Sequence, residues 1–148
     1  MITPTHAMVL AAGLGVRMRP LTRTTAKPLL HLHGQSLLDR ALDRLRDAGI
    51  QQAVVNAHWH AEQVADAVAQ RTAPQVTLQH EDTLLETGGG VTRALPLLGP
   101  APFIVANGDS VWLDGPTPAL ARMAAAFDPE RMDGLLLLVR AAQIDGEI

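Results

Sequence analysis

Hydrophobic positions in this chain follow two rhythms. Short unbroken apolar runs alternate with longer segments in which apolar residues return every three or four positions. The first run, Ala7–Ala12, stops at a glycine and reads as a buried strand. Ser36–Ala48 then places Leu37, Leu38, Ala41, Leu42 and Leu45 on one helical face, with Asp39, Arg40, Asp43, Arg44 and Asp47 opposite. Gly49 is a natural stop for that helix. Ala53–Asn56 predicts a second strand, and Ala61–Gln70 a second helix with Val64, Ala67 and Val68 turned inward. Val76–Gln79 predicts a third strand. Gly90–Leu98 predicts a helix, broken by Gly99-Pro100 and Pro102. Phe103–Ala106 is a fourth strand running into "NGD", Pro118–Phe127 a further helix, and Leu135–Val139 a fifth strand. Strand and helix alternate throughout, and the strands are continuous apolar runs. That pattern predicts an α/β fold, a mostly parallel Rossmann-like sheet with helices on both faces.

Composition narrows the classes of function. The chain has 148 residues, 47% of them apolar and 18% charged, enough for one well-packed domain spanning 1–148. A net charge of -3 argues against a nucleic-acid partner, and aromatics at 3% argue against a base-stacking surface. Cysteine is absent, which removes disulfides and thiolate metal sites. No apolar run approaches the roughly 18 residues of a membrane span, and no Lys/Arg-rich leader precedes the first apolar run. These features predict a cytoplasmic domain with no membrane partner. The final stretch "AAQIDGEI" follows the fifth predicted strand without a closing helix, so the expectation is the N-terminal portion of a longer protein.

Chemistry concentrates in the loop after the first strand. In an open parallel sheet, ligands bind at the carboxyl ends of the strands. There "AAGLGVRMRP" places Gly13 and Gly15, whose missing Cβ atoms let backbone N–H groups approach an anion. Arg17 offers a forked donor for phosphate, and Lys27 a compact positive charge. A tight turn explains the bare G-x-G equally well, and the spacing matches neither the dinucleotide fingerprint nor a P-loop. Asp109 ends the fourth strand at the same edge, where a metal-binding carboxylate or a simple turn residue would stand.

The stretch "LAAGLGVRMRPLTRTTAKPLL" resembles the signature of the sugar-1-phosphate nucleotidyltransferases, and "LLETGGGVTRALPLLG" and "FIVANGDSVW" continue the resemblance. The combination "ETGGG" then "NGD" is most similar to the N-acetylmuramate-1-phosphate uridylyltransferase branch, with mannose-1-phosphate guanylyltransferases as neighbours. The resemblance implies the nucleotide-diphospho-sugar transferase fold. It also implies transfer of a nucleotidyl group from a nucleoside triphosphate to a sugar 1-phosphate, with release of pyrophosphate and Mg²⁺ as cofactor. By resemblance, Arg17 neutralises the triphosphate, Lys27 contacts the α-phosphate and the sugar phosphate, and Asp109 holds the metal. Ala12, Gly13, Leu14, Gly15 and Val16 line the nucleotide, Glu81, Thr87 and Gly88 meet the base, and Asn107 faces the sugar.

Other readings compete. Guanylyl or thymidylyl transfer to mannose or glucose 1-phosphate keeps the reaction and changes the substrates. A non-catalytic nucleotide-sensing module keeps the fold and loses the reaction. Glu86 receives no role. His31/His33 and His58/His60 are read as polar loop residues rather than metal ligands, Trp59 and Trp112 as packing or pocket walls, and the Asp39–Asp47 charges as a solvated helix face with i,i+4 pairs.

Overall fold

The computed structural model describes residues 3–138. Four parallel strands form one sheet in the order β5-β4-β1-β6, where β1 is His6–Leu10, β4 Gln52–Ala57, β5 Gln75–His80 and β6 Ile104–Asn107. A small antiparallel hairpin, β2 (His31–Leu32) with β3 (Gln35–Ser36), lies apart from it and has no counterpart in the hydrophobic pattern. The helices are α1 (Leu37–Asp47), α2 (Ala61–Ala69), α3 (Glu86–Leu98) and α4 (Ala119–Ala126).

Strand periodicity assigns the two faces. Ala7, Val9, Ala53, Val55 and Ala57 pack with Leu38, Leu42 and Leu45 of α1, Val64 and Val68 of α2, and Leu120 of α4. The intervening residues Met8 and Val54 pack with Ala94 and Leu98 of α3. One face therefore carries three helices and the other carries α3, as a doubly covered parallel sheet requires. Each fully buried leucine of α1 contributes about 1.5–3 kcal/mol of hydrophobic stabilisation. The helix starts at Ser36, whose Oγ accepts the Asp39 N–H at 3.0 Å.

Three expectations change. The third predicted helix begins at Glu86 rather than Gly90, so Thr87 and Gly88 lie in its first turn instead of in a preceding loop. Consecutive glycines disfavour helix, but Gly90 is buried against Asn56 and Glu81 and its carbonyl accepts from Gln79 Nε2, and such tertiary contacts override the propensity. The predicted strand Leu135–Val139 is no strand over Leu135–Leu138, and Val139 lies outside the described residues. Leu136 and Leu138 are 80% and 79% exposed, with no ladder partner among the described residues. An apolar run becomes a strand only where a neighbour supplies hydrogen bonds. Finally, the α1 charges do not make i,i+4 pairs. Arg71 reaches across from beyond α2 to Asp39 and Asp43, Arg44 pairs with Asp114, and Arg46 pairs with Asp43 and Asp47.

The strand order sets the position of the site. From β1 the chain moves outward through β4 to β5, then α3 returns it to the far side of β1 as β6. The direction of winding reverses at β1, and that reversal opens a crevice at its carboxyl end.

Candidate functional site at the carboxyl edge of the sheet

A cleft of about 180 Å³ occupies this crevice. Its floor is the end of β1 and the following turn, Leu10 to Gly13, beside Asn56 at the end of β4 and Asn107 at the end of β6. One wall is Lys27 and Pro28, another is Leu84, Glu86 and Thr87 at the start of α3, and Asp109 closes the third side. The Lys27 Nζ lies 2.5 Å from Asp109 Oδ2, and the two side chains are 29% and 30% exposed. An ion pair this open to the cleft leaves both groups available to a charged ligand.

A lattice of hydrogen bonds holds Lys27 in place. Gly15 has φ +62°, and a Cβ there would stand 2.8 Å from Thr22 Cγ2, so only glycine fits the turn. Thr22 Oγ1 donates to the Gly15 carbonyl at 2.6 Å. Trp59 Nε1 donates to the Thr22 carbonyl at 2.9 Å, and His60 Nε2 lies 3.0 Å from the Arg23 carbonyl. Gln63 spans the next segment, donating to the Thr24 carbonyl at 2.8 Å and accepting the Ala26 N–H at 3.0 Å. Residues after β4 thus clamp the glycine turn and the base of Lys27 together. His58 Nδ1 lies 2.7 Å from the Glu81 carbonyl, so His58 and His60 both serve backbone oxygens. No group of three or more His, Cys, Asp or Glu able to hold a metal occurs among the described residues.

The structure brings Ala12, Gly13, Lys27, Thr87, Asn107 and Asp109 together around the cleft. Leu14, Gly15, Val16 and Arg17 continue along the turn outside its lining, with Arg17 exposed on the short helical turn Val16–Met18. Gly88 is exposed one residue beyond the lining, on the first turn of α3. Glu81 is placed elsewhere than expected. It is 0% exposed, lies beneath the cleft rather than in it, and gives both oxygens to protein donors. Asn56 and Glu86 line the cleft without having been nominated. Asn107 came only from the family resemblance; Asn56, likewise an amide near the end of an apolar strand, offered a signal that was there to be read. Glu86 has φ +59°, a left-handed conformation uncommon outside glycine, which no sequence pattern announces.

Fold and cleft define an α/β domain with a cleft at the switch point of a parallel sheet, the place where such sheets bind ligands. The chain belongs to the MobA-like NTP transferase domain family, which matches residues 7–143. It is 46% identical over 145 residues to the N-acetylmuramate alpha-1-phosphate uridylyltransferase of Caulobacter vibrioides, covering 95% of this chain and 60% of that protein. It is 44% identical over 136 residues to the protein of the same name from Neisseria meningitidis serogroup B, covering 90% of this chain and 58% of the relative. The chain therefore spans about three-fifths of these relatives' length. Among solved structures it resembles HddC from Yersinia pseudotuberculosis complexed with GMP-PN. The TM-score is 0.63 at 29% identity, covering 71% of this chain and 48% of the other.

Proposed function

We propose that this chain carries the nucleotide-binding centre of a uridylyltransferase that transfers the uridylyl group of UTP to N-acetylmuramate 1-phosphate, releasing pyrophosphate, in the cytoplasm, within peptidoglycan recycling. The observation that carries the reading is the partly exposed Lys27–Asp109 pair at the switch-point cleft, next to the glycine turn. The names of the Caulobacter and Neisseria relatives support this choice of substrates.

The chemistry asks little of an acid or base. A phosphate oxygen of the sugar phosphate bonds to the α-phosphorus while the bond from that phosphorus to the pyrophosphate oxygen breaks. The nucleophile is already ionised, so the site must position both phosphates and neutralise their charge. Lys27 does so at the α-phosphate from a base held by Gln63. The Gly13 backbone approaches the phosphates from the floor, and Arg17 meets those that extend along the turn. The first N–H groups of α3, which lack intrahelical acceptors, would serve the base side, where Glu86 and Thr87 line the cleft.

Asp109 fits a magnesium ion. It is a hard oxygen donor inside the cleft, and Mg²⁺ usually takes one or two carboxylates plus substrate phosphates rather than a full protein cage. When bound, Mg²⁺ would neutralise phosphate charge.

The test measures pyrophosphate release with UTP, GTP, CTP and dTTP against N-acetylmuramate, glucose and mannose 1-phosphates, beside calorimetric titration with each triphosphate. UTP with N-acetylmuramate 1-phosphate is the expected productive pair. Another preferred pair replaces the substrate reading. Nucleotide binding without release under any pairing favours the sensing module.

A further inference from the structure

From Asn56 in the cleft lining a buried polar unit continues through Gln79 and Glu81, and the three are 2%, 6% and 0% exposed. Asn56 and Gln79 are direct partners across β4 and β5, on the sheet face that α3 covers. Backbone groups fix the direction of every hydrogen bond. The Ala11 N–H can only donate, so Asn56 Oδ1 accepts it at 2.7 Å and Asn56 Nδ2 turns to Glu81 Oε1 at 2.9 Å. The Gly90 carbonyl can only accept, so Gln79 Nε2 donates to it at 3.0 Å and lies 3.4 Å from Glu81 Oε1. The Leu85 N–H donates to Glu81 Oε2 at 3.1 Å. Glu81 is thus the common acceptor of three donors. The Gly90 position confirms how tightly the unit is enclosed, since a Cβ there would lie 2.9 Å from Asn56 Nδ2 and 3.1 Å from Glu81 Oε1.

The unit joins three backbone segments that bound the cleft. Ala11 is in the floor, Leu85 lies between the lining residues Leu84 and Glu86, and Gly90 anchors the first turns of α3. Leu85 is also where the chain turns into the left-handed Glu86. We propose that Glu81, acting through Asn56 and the Leu85 N–H, is a positioning residue that sets the spacing between the cleft floor and the Leu84–Thr87 wall, and so the affinity for nucleotide. This inference rests on the nucleotide reading above and adds to it a residue that touches no ligand.

Glu81→Gln keeps size and shape but has a single oxygen, so either the Leu85 N–H or the Asn56 amide must then face an N–H₂ group. The paired exchange Asn56→Asp with Glu81→Gln reverses donor and acceptor across the central contact. The new carboxylate then accepts from the Ala11 N–H and from the new amide, whose oxygen accepts the Leu85 N–H. Two measurements on the chain decide the matter. Amide hydrogen exchange without ligand should show Leu85 exchanging at least tenfold faster in Glu81→Gln and returning towards the parent rate in the paired exchange. Calorimetry well below the melting temperature should show UTP binding at least tenfold weaker in Glu81→Gln. Unchanged Leu85 exchange, or no recovery in the paired exchange, overturns the hydrogen-bond polarity on which the proposal stands. Faster exchange with UTP affinity within twofold of the parent overturns the positioning role and leaves a purely structural one. A parent chain that binds no triphosphate overturns the nucleotide reading itself, while the exchange experiment still reports on the polar unit.

Discussion

Asp109 and Lys27 are each about seven-tenths covered and touch each other, so a change at either is felt in the cleft before it is felt in the core. Asp109→Asn removes one carboxylate charge and keeps the side-chain volume. We expect turnover at saturating Mg²⁺ to fall at least about 100-fold, roughly 2.7 kcal/mol of lost transition-state stabilisation, with the melting temperature little changed. A kcat within twofold of the parent would take Asp109 out of the metal role. The glycines of "ETGGG" separate at the same scale. A Cβ on Gly88 meets nothing within 4 Å, whereas one on Gly90 meets Asn56 and Glu81 at 2.9 and 3.1 Å. Gly88→Val should therefore leave the melting temperature close to the parent's and weaken triphosphate binding. Gly90→Ala should lower stability by about 1–3 kcal/mol, because it disrupts a buried hydrogen bond. Thermal melts without ligand, set beside calorimetric titration, distinguish them. The reverse order would mean that Gly88 is structural and remote from the ligand.

At the scale of elements, α1 is tied to the rest of the molecule by charge as well as by leucines. Asp43 accepts hydrogen bonds from Arg71 and from Gln35 Nε2, the latter at 2.6 Å. Burial pushes the Asp43 carboxyl up, but the hydrogen bonds from Arg71 and Gln35 and the charges of Arg71 and Arg46 outweigh it and hold the group below its ordinary value of 3.8. A carboxylate depressed in the folded state contributes stability that is fully present above its unfolded pKa and is lost as pH falls through the folded one. The parent should therefore lose stability on acidification from about pH 4 downward, and Asp43→Asn should flatten that part of the profile while lowering the plateau above it. Urea unfolding from pH 6 to pH 2 reads both features, and parallel profiles would remove Asp43 from the acid response.

For the molecule as a whole, a ligand seated at the switch point touches β1, β4, β6 and the start of α3 at once, so binding should stabilise the fold and not merely a loop. At about 100 times its Kd, UTP should add roughly 2.7 kcal/mol, which for a domain of this size is a rise of several degrees in Tm. Melts with each nucleoside triphosphate should rank them by affinity. No shift with any of them would show that the cleft is not a nucleotide site. Among the described residues no helix is long and apolar enough to cross a membrane.

The chain's own pattern determined the four strands of the main sheet, the four helices and their order. Unbroken apolar runs such as "AMVL" and "AVV" are stable between two covered faces, and the leucine stripe of α1 is stable only against another apolar surface, here the sheet. It also marked Gly13, Lys27 and Asp109, because glycine after a strand and charge in the loops at the sheet's carboxyl edge are local chemistry, while Asn107 came only with the family resemblance. What it did not carry were relations between distant segments. Glu81 looked like a ligand contact until the fold placed Asn56, Gln79 and Leu85 around it. Trp59 and Gln63 acquired their role only when α2 came to rest against Thr22–Ala26. The run from Leu135 reads as a strand by composition alone, yet a strand is a property of two neighbours. Hydrophobic period and turn chemistry are written residue by residue. The partner of a buried polar group is chosen only when the sheet order closes, and much of this site is built from such partners.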